Sequence, residues 1–224
     1  MWKLWLSLTI VTIVIIITLV LLFLSIKKHN KKNTLGFQFE SQIDNKLSIF
    51  AKNEGFKFLK GGLFKYSTNQ FFEMDGVLIG NKAVYIIEDK YYQGHLYGEA
   101  YADQLTLKIG KKEKNINNPL LQNFKHIQHF YKMCGFNVPV FSLLILPSGT
   151  TYEIEQLDSW AIVANEDEIE DKFKKVNDDL KEEPNLSFEM IQAVIDAIKL
   201  NRATSYKDIK KFKKITHESK HENK

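Results

Sequence analysis

A chain of 224 residues with 44% hydrophobic and 26% charged residues has the balance of a globular protein and room for one well-buried domain, which excludes a disordered or low-complexity chain. A single cysteine, Cys134, excludes an internal disulfide framework, and it reads as a core residue at a helix end. The net charge of +4 is too small to name a nucleic-acid partner by itself.

In chain order the first feature is residues 4–26, "LWLSLTIVTIVIIITLVLLFLSI", which carry no charge, Gly or Pro. At ~1.5 Å rise per residue such a helix crosses a hydrocarbon core of ~30 Å, so residues 1–26 are predicted to be a transmembrane signal anchor. A cleaved signal peptide fits less well, because its apolar run spans only ~7–15 residues and ends at a small-residue cleavage site. The basic run "KKHNKK" comes next, within a juxtamembrane linker, residues 27–35. Positive flanks stay inside, which puts the remaining chain on the cytoplasmic side of the cell membrane.

No repeat and no long Pro, Gly or Ser linker divides the remaining chain, so residues 36–200 read as one domain. "GFQFESQIDNKLSIFAKNEG" spaces Phe39, Ile43, Leu47 and Phe50 as a helix that stops at Gly55. "FKFLKGGLFKY", "QFFEMDGVLIG" and "AVYIIEDKYY" are three strands, with a turn at Gly80 and Asn81, and "HLYG" with "QLTLKIG" is a smaller hairpin. A helix opens at Asn118 as N-cap, carries Pro119 in its first turn and ends at Gly135. "VPVFSLLILP" and "SWAIVAN" are buried strands, "NEDEIEDKFKKV" opens with a capping box, and "SFEMIQAVIDAIKL" is a last amphipathic helix. Residues 151–200 read overall as an acidic helical extension, and residues 201–224 as a basic flexible tail, a solvated end or a contact for anionic lipid or nucleic acid. The order is that of an α/β protein with a mixed sheet flanked by helices.

The third strand ends in Glu88, Asp89 and Lys90, where a buried strand should have no charge. Side chains alternate along a strand, so Val84, Ile86, Glu88 and Lys90 share one face and Tyr85, Ile87 and Asp89 the other. A hairpin closing at Gly80 and Asn81 brings Asp75 beside Glu88. Two carboxylates and an ammonium then converge, and carboxylates that close are costly to bury unless a cation joins them. Mg²⁺ is typically held by one or two carboxylates with waters and substrate phosphates, which is the arrangement of a metal-dependent phosphodiesterase site.

These residues resemble the nuclease-related domain (NERD) family of the PD-(D/E)XK nuclease-like superfamily. The resemblance runs through Gly36 with Glu40, Asp75, Ile87-Glu88-Asp89-Lys90, Gly94-His95-Leu96-Tyr97-Gly98 and Asn118-Pro119-Leu120-Leu121-Gln122, in order over residues 36–147. Departures are Gly76 after the Asp, Asp89 as the middle residue of Glu-x-Lys, and no Trp after Gly98. The resemblance implies a restriction-endonuclease-like αβββαβ core and hydrolysis of DNA phosphodiester bonds, with RNA as a further candidate substrate. It implies that Asp75 and Glu88 hold Mg²⁺, or Mn²⁺ in its place, and that Glu40 completes the shell or orients a water. Lys90 would stabilise the attacking hydroxide and developing charge, and Gln122 would contact the water, the metal shell or the substrate.

Each residue also has a plainer reading. Glu40 is then an exposed helix residue, Glu88 and Lys90 a surface ion pair of at most about 1 kcal/mol, Gln122 part of a helix turn and Asp75 a bulge residue. His126 and His129, three apart on the Pro119 helix, read as helix-surface histidines for want of a third ligand. Tyr91, Tyr92, Tyr97 and Tyr101 either pack the hairpin or stack unpaired bases, and Tyr91 and Tyr92 cannot both face inward. Two alternatives to the nuclease stay open: a tethered nucleic-acid-binding module whose nuclease fold has lost turnover, and a structural membrane protein whose acidic region binds another protein.

Overall fold

The structure, a computed structural model, describes residues 12–24 and 34–222, with side chains to residue 216. Residues 12–24 form helix α1. The predicted span of residues 4–26 and the linker of residues 27–35 lie partly outside the described residues, and among those described no helix is long and apolar enough to cross a membrane.

Helix α2 (Leu35–Glu54) forms on the predicted stripe, with Phe39, Ile43, Leu47 and Phe50 buried and with Gly55 left-handed at φ 72° as its C-cap. The stripe lies on one face of a five-stranded sheet made by β1 (Lys57–Ser67), β2 (Gln70–Ile79), β3 (Val84–Asp89), β7 (Val140–Leu146) and β9 (Ala161–Asn165), in that spatial order. β1, β2 and β3 pair antiparallel, whereas β7 and β9 join in parallel. The same face is completed by Ile169 and Phe173 of α4 (Ile169–Asp179), and the opposite face is covered by α3 (Pro119–Cys134) and α5 (Phe188–Asn201). This is the mixed, helix-flanked α/β sheet that the sequence predicted.

A second sheet holds β6 (Lys112–Asn117), β5 (Gln104–Ile109), β4 (His95–Glu99) and β8 (Thr151–Glu155), in that order. Leu96 and Leu105 pack it on Leu144, Leu146 and Leu120, near the carboxyl ends of the parallel strands. Two of its strands correct the sequence reading. β6 has no apolar alternation and is held by its register with β5 from Gln104↔Asn117 to Ile109↔Lys112. β8 lies inside the expected acidic helical extension, yet it pairs with β4 from His95↔Thr151 to Glu99↔Glu155 and turns Tyr152 and Ile154 toward the core. β9 is the strand expected from "SWAIVAN", and helix in residues 151–200 is confined to α4 and α5. The basic end of the chain is helical too, as α6 (Tyr206–Glu222). Cys134 closes α3 half-buried, and burial pushes its thiol up to about 12.

One irregularity shapes the region of interest. Along β2 the residues facing α3 and α5 are Phe72 and Met74, then Val77 and Ile79, so the alternation shifts by one position across Asp75 and Gly76. β1 tracks it at Gly61 and Gly62, where a Cβ on Gly61 would stand 2.1 Å from the Asp75 carbonyl oxygen. Arg202 secures the crossing by donating 2.8 Å to the Gly61 carbonyl while stacking 4.8 Å over the Phe64 ring. Gly61→Ala is expected to cost more than about 2 kcal/mol in urea denaturation, because backbone has to move. Gly36→Ala, whose Cβ meets nothing within 4 Å, is expected to be neutral or stabilising in the same measurement.

Candidate active site

β3 is central, between β2 and β7 and beneath helices on both faces, and all six of its residues are buried. Val84 and Ile86 face α3 and α5, whereas Tyr85 and Ile87 face α2 and α4. Continuing that alternation, Glu88, 0% exposed, points to the α3 side, and Asp89, 6% exposed, to the α2 side. The β2–β3 register pairs Gly76 with Ile87, so its next positions are Asp75 and Glu88. The Asp75 carboxylate then replaces a ladder carbonyl: its Oδ2 accepts from the Asp89 backbone N–H at 2.8 Å.

Glu88 meets two partners. Its Oε1 forms an ion pair with the Lys90 ammonium, and its Oε2 lies 3.4 Å from His126 Nε2. That Oε2 is buried without a hydrogen bond. His126 Nε2 in turn stands 3.4 Å from Gln122 Nε2, one turn earlier on α3. α3 is locked in this orientation by Asn123, which is fully buried and donates 2.8 Å bonds to the Ile86 carbonyl and to Ser142 Oγ. Its start is fixed by Asn118, whose Oδ1 accepts from Leu120 N–H at 2.9 Å while its amide donates to the Ala100 and Ala102 carbonyls.

Burial, and next the charge of Glu88, push the Asp75 carboxyl up to about 7, against the opposing pull of the Asp89 N–H and Lys90. Burial, then Asp75 and Asp44, raise Asp89 well above the ordinary carboxylate range. Burial alone would lower Lys90, but Glu88, by charge and hydrogen bond, and Asp75 hold it above its usual value as a firm cation.

Two clefts meet at Asp75. One, of about 480 Å³ on the α2 side, is lined by Glu40, Asp44 and Asp89 among others. The other, of about 410 Å³ on the α3 side, is lined by Lys90, Gln122, Lys125 and His126. The structure thus brings Asp75, Glu88 and Lys90 together, Glu88 buried behind the cleft that Asp75, Lys90 and Gln122 line. Glu40 stands in the other cleft with Asp89 and is exposed on α2.

Sequence reasoning passes over His126. Its spacing suggests a surface residue, but its side chain is only 13% exposed and faces Glu88. The available signal is its separation of four from Gln122, which sets both on one helix face. His129 stacks on Tyr66 at 4.1 Å between ring centroids instead. Of the tyrosines, Tyr91 packs edge-on to Phe39 beneath α2, Tyr92 joins the cluster under the second sheet, Tyr97 stacks on His95, and exposed Tyr101 bonds to Asp158.

Among the described residues no group of three or more His, Cys, Asp or Glu side chains is arranged to hold a metal ion. Asp75 and Glu88 nonetheless offer hard oxygen donors at one point, one of them a buried oxygen lacking a hydrogen bond. A pair of carboxylates completed by water and phosphate oxygens is a donor set that suits Mg²⁺.

Comparison with known proteins agrees with this reading of the core. An uncharacterized protein of Bacillus anthracis is 31% identical over 71 residues, 32% of this chain, and the chain spans about a third of that relative's length, 34%. No solved structure matches significantly. The family model described as "NERD: Nuclease-related domain" matches residues 35–147, half of the chain, from the start of α2 to the end of β7. That stretch contains Glu40, Asp75, Glu88, Lys90 and Gln122, and the chain belongs to the NERD family.

Proposed function

We propose that the protein is a metal-dependent nuclease that hydrolyses DNA phosphodiester bonds where the middle of β2 meets the end of β3. The observation that carries this is the convergence of Asp75 and Lys90, which line one cleft, with Glu88 buried behind them, two carboxylates and a cation where a strand core should be apolar. Asp75 and Glu88 would hold Mg²⁺ or Mn²⁺, and a bound ion would supply a Lewis acid and a lowered pKa for its water. Lys90, kept charged by its carboxylate neighbours, offsets the negative charge that grows on the phosphoryl oxygens. Gln122 and His126, on one face of α3, orient groups at the cleft rim, and Glu40 approaches Asp75 from the α2 side. Water oxygen bonds to phosphorus as the bond to the leaving sugar oxygen breaks.

The apolar run of residues 4–26 and the basic run after it further suggest a tether that holds this domain at the cytoplasmic face of the cell membrane. On this reading the full chain sediments with membranes through an alkaline wash, and release by that wash would contradict the tether.

A second reading is favoured by one observation: Lys90 already neutralises Glu88. The domain would then be a nucleic-acid-binding module whose nuclease fold has lost turnover. Cleavage of DNA by the full chain in Mg²⁺ or Mn²⁺ separates the two. Asp75→Ala, Glu88→Gln and Lys90→Met are each expected to lower the rate by about 10²-fold or more, with circular dichroism unchanged. Rates unchanged in all three variants would sink the site assignment, and binding without cleavage by the wild type would establish the second reading.

The pH dependence of stability is set in part by Asp75. Its folded-state pKa, about 7, lies above the ordinary 3.8, so its contribution is fully present below about pH 4 and is lost as pH rises through 7. Asp89, also raised, acts in the same direction. The metal-free protein is therefore expected to lose melting temperature between pH 4 and 7 from these groups, and Mg²⁺ is expected to restore part of it above pH 7. Asp75→Asn should flatten both responses, whereas a variant that keeps the wild-type profile would contradict the assignment.

A further inference from the structure

The basic end of the chain, read from sequence as a flexible tail, instead reaches the cleft of Lys90. α6 begins at a local cap, Asp208 N–H donating 3.1 Å to Ser205 Oγ, and is pinned to β1 by the ion pair of Asp208 with Lys65 at 2.8 Å. One turn on, Phe212 lines the same cleft as Asp75, Lys90 and Gln122. Asp208, Phe212 and Thr216 fall on one stripe of the helix at intervals of four and are half-buried, as is the neighbouring Lys211. α6 thus forms an outer wall of the cleft.

The opposing wall is rich in rings. His126 and His129 line the cleft, backed by Phe72 at centroid distances of 6.1 and 5.4 Å. Lys90 and Lys125 lie among them, and α6, which reaches the cleft through Phe212, carries Lys207, Lys210, Lys211 and Lys213 along its length. Ring faces interleaved with ammonium groups are how proteins hold single-stranded nucleic acid, since every unpaired base has a face to stack and every nucleotide a phosphate to neutralise. His129 is itself stacked on Tyr66 and His126 faces Glu88, so the ring the cleft offers to a base is that of Phe212, and a duplex, which keeps its base faces stacked inside, has none to place there.

We propose that α6 makes this a single-strand site: an unpaired strand passes between α6 and α3, a base lies against Phe212, and the α6 lysines track its phosphates. This rests on the reading of the Asp75 and Lys90 cleft as a nucleic-acid site, but not on that site being catalytic.

The test is fluorescence anisotropy of a labelled oligo-dT strand, and of the dA·dT duplex of equal length, with the full chain in EDTA and again in Ca²⁺. Wild type is expected to bind the single strand at least tenfold more tightly. Phe212→Ala is expected to weaken single-strand binding about tenfold, the loss of one base stack, without changing duplex binding. Because Phe212 is half-buried, the exposed variant Lys210→Gln/Lys213→Gln is measured beside it, with melting curves for both. Loss of two phosphate contacts should reduce the slope of log affinity against log salt by about 1.4 on the single strand. Equal or tighter duplex binding, binding of neither form, or both variants behaving as wild type would overturn the proposal. Cleavage is read separately, so an inactive protein that passes the binding test retires the nuclease reading alone, and an active one that prefers duplex retires only this one.

Discussion

Carboxylates removed from water must be neutralised by a proton or a cation, and the middle of β2 and the end of β3 place Asp75, Glu88 and Asp89 within each other's electrostatic reach. Each is forced there by ordinary structure. β3 is sandwiched on both faces, so the residues after Ile86 and Ile87 are buried, and the antiparallel register sets Asp75 opposite Glu88. Lys90 compensates one charge, while burial, and next the neighbouring carboxylates, shift Asp75 and Asp89 toward their neutral forms. A fold selected for stability alone would fill these positions with apolar side chains, as it does at Val84 to Ile87. Keeping three acids there is intelligible if a cation joins them during function.

The rest of the architecture holds this point in place. The face shift of β2 across Asp75 needs the bare backbone of Gly61, and Arg202, arriving from the end of α5, clamps that crossing. Asn123 ties α3 to β3 and β7 through two buried hydrogen bonds, which fixes where Gln122 and His126 point. The second sheet packs on the carboxyl ends of the parallel strands and, through Asn118, on the start of α3, so it buttresses the same corner.

Much of this is legible in the residues. The stripe of α2, the caps of α3, the two faces of β3 and the approach of Asp75 to Glu88 all come from local periodicity and one turn, where short-range physics decides. The features that the sequence conceals depend on partners distant in the chain. β6 and β8 have polar, weakly patterned sequences and become strands only because β5 and β4 offer them edges. Helix α6 is too charged to suggest a docked element, and its placement rests on an ion pair with Lys65 far upstream. His126 is missed by a count of possible metal ligands on its own helix, because its partner is a carboxylate on another element. Glu40 and Gln122 are expected beside the same carboxylates, yet they line opposite clefts that share only the neighbourhood of Asp75.

The central claim is that Asp75 and Glu88 together form a cation site. It is tested most directly by Mn²⁺ binding to the full chain above pH 7, read from the loss of the free-ion paramagnetic resonance signal, with and without a cleavage-resistant phosphorothioate oligonucleotide. One bound Mn²⁺ per chain, lost in both Asp75→Asn and Glu88→Gln, is the result this account requires. No binding by the wild type even with the oligonucleotide, or binding that survives both substitutions, would contradict it.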